Sequence, residues 1–266
     1  MWTPGIDDAR RPVPVWIHGG GFLTGSGNLA FYAADTFARD GDAVAISINY
    51  RLGPLGFMSG VGDANVWLTD QVAALRWVAA NAAAFGGDPA RIALAGQSGG
   101  AFSIAALAQH PDTRGLFQRG ILQSPPLGLD LPAAEDAVER ARSLARHLGH
   151  TDLAALHHES WERLIGGTIG VLGEYAKFGE WALAFLPVID QATLPPSSRT
   201  CRPRSSSASP ASSTTPGSGS SATAIPTARA PRPGRPYTSD DHAVLVVGDD
   251  NIRVETDRVK ALSASL

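Results

Sequence analysis

Along residues 1–195, short apolar runs of strand length alternate with longer stretches in which apolar residues recur at helical spacing. Val13-Pro14-Val15-Trp16-Ile17 and Val44-Ala45-Ile46-Ser47-Ile48 are nearly continuous and rich in β-branched residues, which marks buried strands. Pro12 and Pro14 fit only the beginning of such a strand, because proline cannot donate to a ladder. From Asp70 to Phe85, the residues Val72, Leu75, Val78, Ala79, Ala82 and Phe85 share one helical face. Thr69 is placed to cap that helix, and Gly86-Gly87-Asp88-Pro89 stops it. A third strand is predicted at Ile92–Ala95, a helix from Gly99 to about Gln109, and a fourth strand at Gly120–Gln123. Pro132–Leu148 reads as an amphipathic helix, with Glu135 and Asp136 in its first turn and Arg142, Arg146 and His147 towards its end. Gly149 closes it, and a shorter helix is predicted at Leu153–Leu164. Strands alternating with helices predict an α/β fold: a largely parallel sheet with helices on both faces.

The alternation stops near residue 195. Residues 196–241 are rich in Pro, Ser and Arg and almost without large apolar side chains. Such a segment cannot bury enough apolar surface to offset its ordering entropy, so it is expected to be disordered, a solvated linker being the alternative. Residues 242–266 form a short tail in which Ala243–Val247 and Gly248-Asp249-Asp250-Asn251 read as one strand and a turn.

Composition narrows the function classes. The chain has 266 residues, of which 44% are hydrophobic and 18% charged, ordinary values for a globular core. A net charge of -3 argues against nucleic acid or an anionic membrane as the main partner. The one cysteine, Cys201, excludes an internal disulfide framework and most cysteine-based metal sites. No stretch has the length and hydrophobicity of a membrane span, and the start at Met1-Trp2-Thr3-Pro4-Gly5 has no signal-peptide pattern. A soluble cytoplasmic protein is the default expectation. His157-His158-Glu159 invites a metal reading, but adjacent residues on a helix point about 100° apart, which does not suit a shared ion. No metal or cofactor is expected.

The candidate chemistry lies after the strands. Gly96-Gln97-Ser98-Gly99-Gly100 has the G-x-S-x-G form of a nucleophile elbow in its strand–turn–helix setting. A serine hydroxyl is a weak nucleophile until it is raised clear of the sheet and placed beside a base. Gly96 and Gly100 allow the sharp turn that raises it, and the helix that follows directs free N–H groups at the same point. By itself the pentapeptide is a weak signal. His18-Gly19-Gly20-Gly21-Phe22 follows the first strand, and its glycines let backbone N–H groups approach a ligand. A mere Gly-rich turn is the alternative; a phosphate cradle is disfavoured because no Gly-Lys-Ser/Thr follows. In a parallel sheet, both loops fall on the carboxyl edge, where active sites lie.

In order, the chain carries Val15-Trp16-Ile17-His18-Gly19-Gly20-Gly21-Phe22, Asn49-Tyr50-Arg51-Leu52-Gly53, Asp70-Gln71, Leu75-Arg76-Trp77-Val78, Asn81, Phe85-Gly86-Gly87-Asp88-Pro89 and Gly96-Gln97-Ser98. This series closely resembles the type-B carboxylesterases of the α/β-hydrolase fold, relatives of cholinesterases and para-nitrobenzyl esterases. Leu116-Phe117, Gln123-Ser124, Pro187-Val188-Ile189-Asp190 and Leu194-Pro195 also look like family landmarks, so the resemblance covers roughly residues 2–195. It implies an incomplete α/β-hydrolase core and hydrolysis of a small-molecule carboxylic ester. It implies Ser98 as the nucleophile that forms an acyl-enzyme, with backbone N–H groups of Gly20, Gly21 and Gly99 as the oxyanion hole. His18 precedes the serine, whereas the fold orders its triad Ser, acid, His, so His18 is loop architecture.

Departures from the family pattern matter. Gln97 stands where the family usually has Glu, Gly99 where it has Ala, and Pro125 where it has Gly. Replacing Ala by Gly99 is expected to loosen the turn without changing its chemistry, and Pro125 to disturb the exit of its strand. Trp2-Thr3-Pro4 resembles the end of an internal strand of the family, so the first strands are expected to be missing and sheet edges left open to self-association. No element matching the family's acid- or His-bearing segments follows residue 195, and His242 is the only histidine after His158. A shift of reading frame near residue 196 would account for this. Non-catalytic relatives with this fold make a dead fragment or an interaction protein the alternative function. His242 beside Asp240 and Asp241 is disfavoured as the base, because a disordered tether would not hold it within hydrogen-bonding reach.

Overall fold

The computed structural model describes residues 1–176, 183–190 and 193–194, together with the backbone of two strands at 243–248 and 252–256. The predicted segment 196–241 and His242 lie outside the described residues. Four strands form the parallel part of the sheet: β1 (Arg11–Ile17), β2 (Ile46–Ile48), β3 (Gly87–Gln97) and β4 (Arg119–Gln123). The tail contributes β5 (Ala243–Gly248) and β6 (Ile252–Thr256), giving the order β2-β1-β3-β4-β5-β6. Val15 pairs with Ile46 and Leu94 on its two sides, and Ala93 pairs with Arg119. Because β2 and β3 lie on opposite sides of β1, the chain reverses its direction of winding between β1 and β3. The loops after those two strands therefore meet at the crevice where α/β sheets bind ligands.

Burial explains the strands. Val13, Val15 and Ile17 of β1 are fully buried, as are Ile92 and Leu94 of β3. Proline at positions 12 and 14 is tolerated for a positional reason. The Pro12 carbonyl accepts from the Val44 N–H at 3.0 Å, so alternate residues from Pro12 face β2, whose ladder begins only at Val15. Trp2 makes an antiparallel bridge with Ala45 beside β2.

Among the described residues, six helices accompany the sheet: α1 (Asp35–Asp40), α2 (Pro54–Phe57), α3 (Val66–Asn81), α4 (Gly99–Leu107), α5 (Ala134–His147) and α6 (Trp161–Tyr175). On one face α3 and α4 press Val72, Leu75, Ile104 and Leu107 into the core. The other face carries α1 and the turn at Ala30–Tyr32. Beneath them a cavity of about 430 Å³ is lined by Pro14, Trp16, Phe31, Phe37, Ala93 and Ile121, among others. It does not include Ser98.

Three expectations change. The helix predicted from Asp70 begins at Val66, and its cap is Asn65 in a left-handed conformation (φ 53°), not Thr69. The segment after Gly149 is not one short helix. A 3₁₀ stretch at Leu153–His158 ends at Glu159, and Ser160 then caps the fifteen-residue α6 by accepting the Arg163 N–H at 3.4 Å. The tail forms a hairpin, two strands instead of one, that pairs antiparallel with β4. The β4 edge is thereby covered. Among the described residues, no helix is long and apolar enough to cross a membrane.

Candidate active site

Ser98 sits between β3 and α4 with φ 54° and ψ −120°, a backbone conformation that a residue with a side chain rarely adopts. Its surroundings hold it there. The Ser98 N–H donates to the Gln123 carbonyl at 2.9 Å, and the Ser98 carbonyl accepts from Phe102 N–H at 2.9 Å. The helix packs so tightly on β1 that a Cβ on Gly100 would lie 2.0 Å from the Ile17 carbonyl oxygen. Only glycine fits. In a separate loop, after β4, Ser124 has φ 48° directly before Pro125, a site at which a preceding residue normally stays extended.

The loop after β1 runs alongside. Gly20 and Gly21 have φ 123° and 63°, and Phe22 follows at 64°. This turns the Gly20 carbonyl inwards, where it accepts from the N–H groups of Leu23 (3.2 Å) and Thr24 (3.1 Å). A Cβ on Gly19 would lie 3.2 Å from Ser98 Cβ, so the two loops are in contact. Among the described residues, the N–H groups of Gly20, Gly21 and Gly99 have no backbone acceptor. Gly99 is also the first residue of a nine-residue helix, whose N-terminal N–H groups favour negative charge.

His18 supports this loop from within. It is buried, its Nδ1 lies 2.8 Å from the Gly19 carbonyl, and its ring stacks on Tyr50 with centroids 4.6 Å apart. The Tyr50 hydroxyl donates to the His18 carbonyl at 2.8 Å. Burial lowers the His18 pKa and raises that of Tyr50, so both are neutral at pH 7. The neighbouring motif residues have the same purpose. Asn49 accepts the Gly27 N–H at 2.8 Å, and Arg51 makes a two-pronged pair with Asp70 on α3, at 2.8 and 2.6 Å.

Phe22 explains the departure at Gly99. A Cβ there would lie 3.2 Å from the Phe22 ring, which is itself packed among Phe57, Trp67 and Phe102. The Phe22 ring occupies the space of the missing methyl. A contact absent from the sequence reading also emerges: Leu183 Cδ2 lies 3.7 Å from where a Cβ on Gly21 would be. Its only sequence signal was its place just before the Pro187-Val188-Ile189-Asp190 landmark.

Among the described residues, no histidine is hydrogen-bonded to Ser98. His110 accepts the Asp112 N–H, His147 faces Glu174 at 2.9 Å, and His150 faces Glu159. His157 and His158 are exposed, and Glu159 is occupied by Arg163 and His150, which hold its pKa down at about 2. The elbow and the glycine loop come together as predicted; a base does not join them among these residues.

Residues 1–215 match the model of the carboxylesterase family. The chain is 70% identical over 195 residues to phenmedipham hydrolase of Pseudarthrobacter oxydans, across 73% of this chain and 40% of that protein. It is 37% identical over 202 residues to para-nitrobenzyl esterase of Bacillus subtilis, across 73% of this chain and 41% of that one. Among solved structures, a thermophilic pNB esterase matches with a TM-score of 0.64 at 36% identity, covering 73% of this chain and 40% of its own. A carboxylesterase of Geobacillus stearothermophilus gives 0.63 at 38% identity, covering 72% and 42%. The fold is that of these α/β-hydrolase esterases. The chain spans about 40% of the length of these relatives.

Proposed function

The chain belongs to the carboxylesterase family, and on that premise we propose that it acts on small carboxylic esters through Ser98. The observation that carries this reading is the meeting of a strained, half-buried serine with three backbone N–H groups that have no acceptor among the described residues, two from the loop after β1 and one at the start of α4. In this mechanism Ser98 Oγ attacks the ester carbonyl carbon. The negative charge that develops on the carbonyl oxygen is received by the N–H groups of Gly20, Gly21 and Gly99. The tetrahedral species collapses with loss of the alcohol, leaving the acyl group on Ser98, and water then releases the acid. The Ser98 proton requires an acceptor in the first step.

The absence of a histidine at Ser98 among the described residues favours a second reading, in which the site binds esters but turns them over poorly. Loss of base and acid leaves on the order of 10³–10⁴-fold over water from the oxyanion hole and binding. Hydrolysis of para-nitrophenyl acetate by the full chain beside Ser98→Ala decides between them. Catalytic turnover that vanishes in Ser98→Ala supports the hydrolytic reading. Indistinguishable rates reject it.

A further inference from the structure

We propose that α6 of one copy of this chain docks on the open sheet face of another copy, a head-to-tail contact between two different surfaces. A parallel sheet is normally covered on both faces. Here α3 and α4 cover one of them. On the other, α1 and the turn at Ala30–Tyr32 leave the cavity of about 430 Å³ against Trp16, Ala95 and Ile121. Phe31 and Phe37 line the same cavity and are exposed to solvent.

The layer that this face lacks has a match elsewhere on the chain. Helix α6 buries Leu164, Thr168 and Val171 but leaves Trp161, Ile165 and Ile169 exposed, one turn apart on a single stripe. A row of exposed large apolar side chains marks an interaction surface. Gly166 beside the stripe faces open space, so a partner can approach the helix backbone there. Charge selects the sheet face as the partner. Glu162 flanks the stripe, and Arg119 is exposed on the same side of β4 as Ile121. Among the described residues neither has an ion pair, so docking brings two free opposite charges together. Pairing α6 with α6 would offer Glu162 no free cation, since Arg163 is held by Glu159, and would leave the sheet face open.

Sedimentation velocity of the full chain over a concentration series tests the contact. A head-to-tail contact leaves a free helix stripe and a free sheet face at its ends, so the native chain is expected to assemble past the dimer as concentration rises. Ile169→Glu on the helix and Phe31→Glu at the cavity change exposed side chains, and each is expected to weaken association at least about tenfold. Mixed together, the two variants are expected to recover one contact of native strength and stop at a 1:1 dimer, because each supplies the surface that the other lacks. That recovery also shows both variants to be folded. Glu162→Arg is expected to weaken association a few-fold, and Arg119→Glu in the same chain to restore it. Four results overturn the proposal: a native chain that is monomeric at roughly 100 μM, either apolar-surface variant alone associating like the native chain, a mixture as monomeric as its parts, or a loss at Glu162→Arg that Arg119→Glu does not rescue.

Discussion

The loops that carry Ser98 and Gly20 and the α5–α6 pair are both held firmly, but by different forces. The loops are held by backbone against backbone: α4 rests on the end of β1, the Gly20 carbonyl is wrapped by Leu23 and Thr24, and Tyr50 pins His18. On the polar side of the α5–α6 pair, charges make the links. Glu174 receives Ser143 and faces His147, and Glu159 joins His150 to Arg163. Steric restraint is insensitive to pH and intolerant of added atoms. Charge restraint has the opposite pair of properties.

The largest effect is expected at Gly100. A Cβ that meets the Ile17 carbonyl at 2.0 Å cannot be relieved by a rotamer change, so Gly100→Ala should cost more than about 3 kcal/mol or prevent folding. Urea unfolding measures it, and a cost below about 1 kcal/mol would show that the loops are not sterically fixed. Gly99→Ala is expected to cost only about 1 kcal/mol, because the Phe22 ring can yield by a few tenths of an ångström and alanine favours the helix. A Phe22→Leu background should remove that cost, and an additive double-mutant cycle would contradict the contact.

The smallest effect, and the one that belongs to the second region, is acid sensitivity. Glu159 is lowered from 4.5 to about 2, chiefly by Arg163 and then by His150. Its folded pKa lies below its unfolded value, so its stabilisation is complete above about pH 4.5 and is lost as pH falls towards 2. Amide exchange in α6 should therefore accelerate across that window, and Glu159→Gln should flatten the response. Unchanged acid dependence in Glu159→Gln would remove charge as the restraint.

How much of this could be read from the chain depends on how local the cause was. The two glycine loops were legible because each is a short motif tied to the end of an apolar strand. The cap at Asn65 was not, since its side chain is held by Val188 and Thr193, far along the sequence. The full length of α6 was hidden by its glycines, which argue against a helix by propensity. Packing explains two of them: a Cβ on Gly167 would lie 2.7 Å from Leu144, and one on Gly170 would lie 2.6 Å from the His147 ring, whereas Gly166 and Gly173 face open space. The proposed nucleophile was legible from its motif; a base was not, and among the described residues no histidine is hydrogen-bonded to Ser98.

The most direct measurement is rapid-quench mass analysis of the peptide containing Ser98 after mixing the full chain with para-nitrophenyl butyrate. The account predicts one butyryl group on Ser98, formed with a stoichiometric release of para-nitrophenolate and absent in Ser98→Ala. Para-nitrophenolate release that is equal in Ser98→Ala, with no adduct on Ser98, would contradict it.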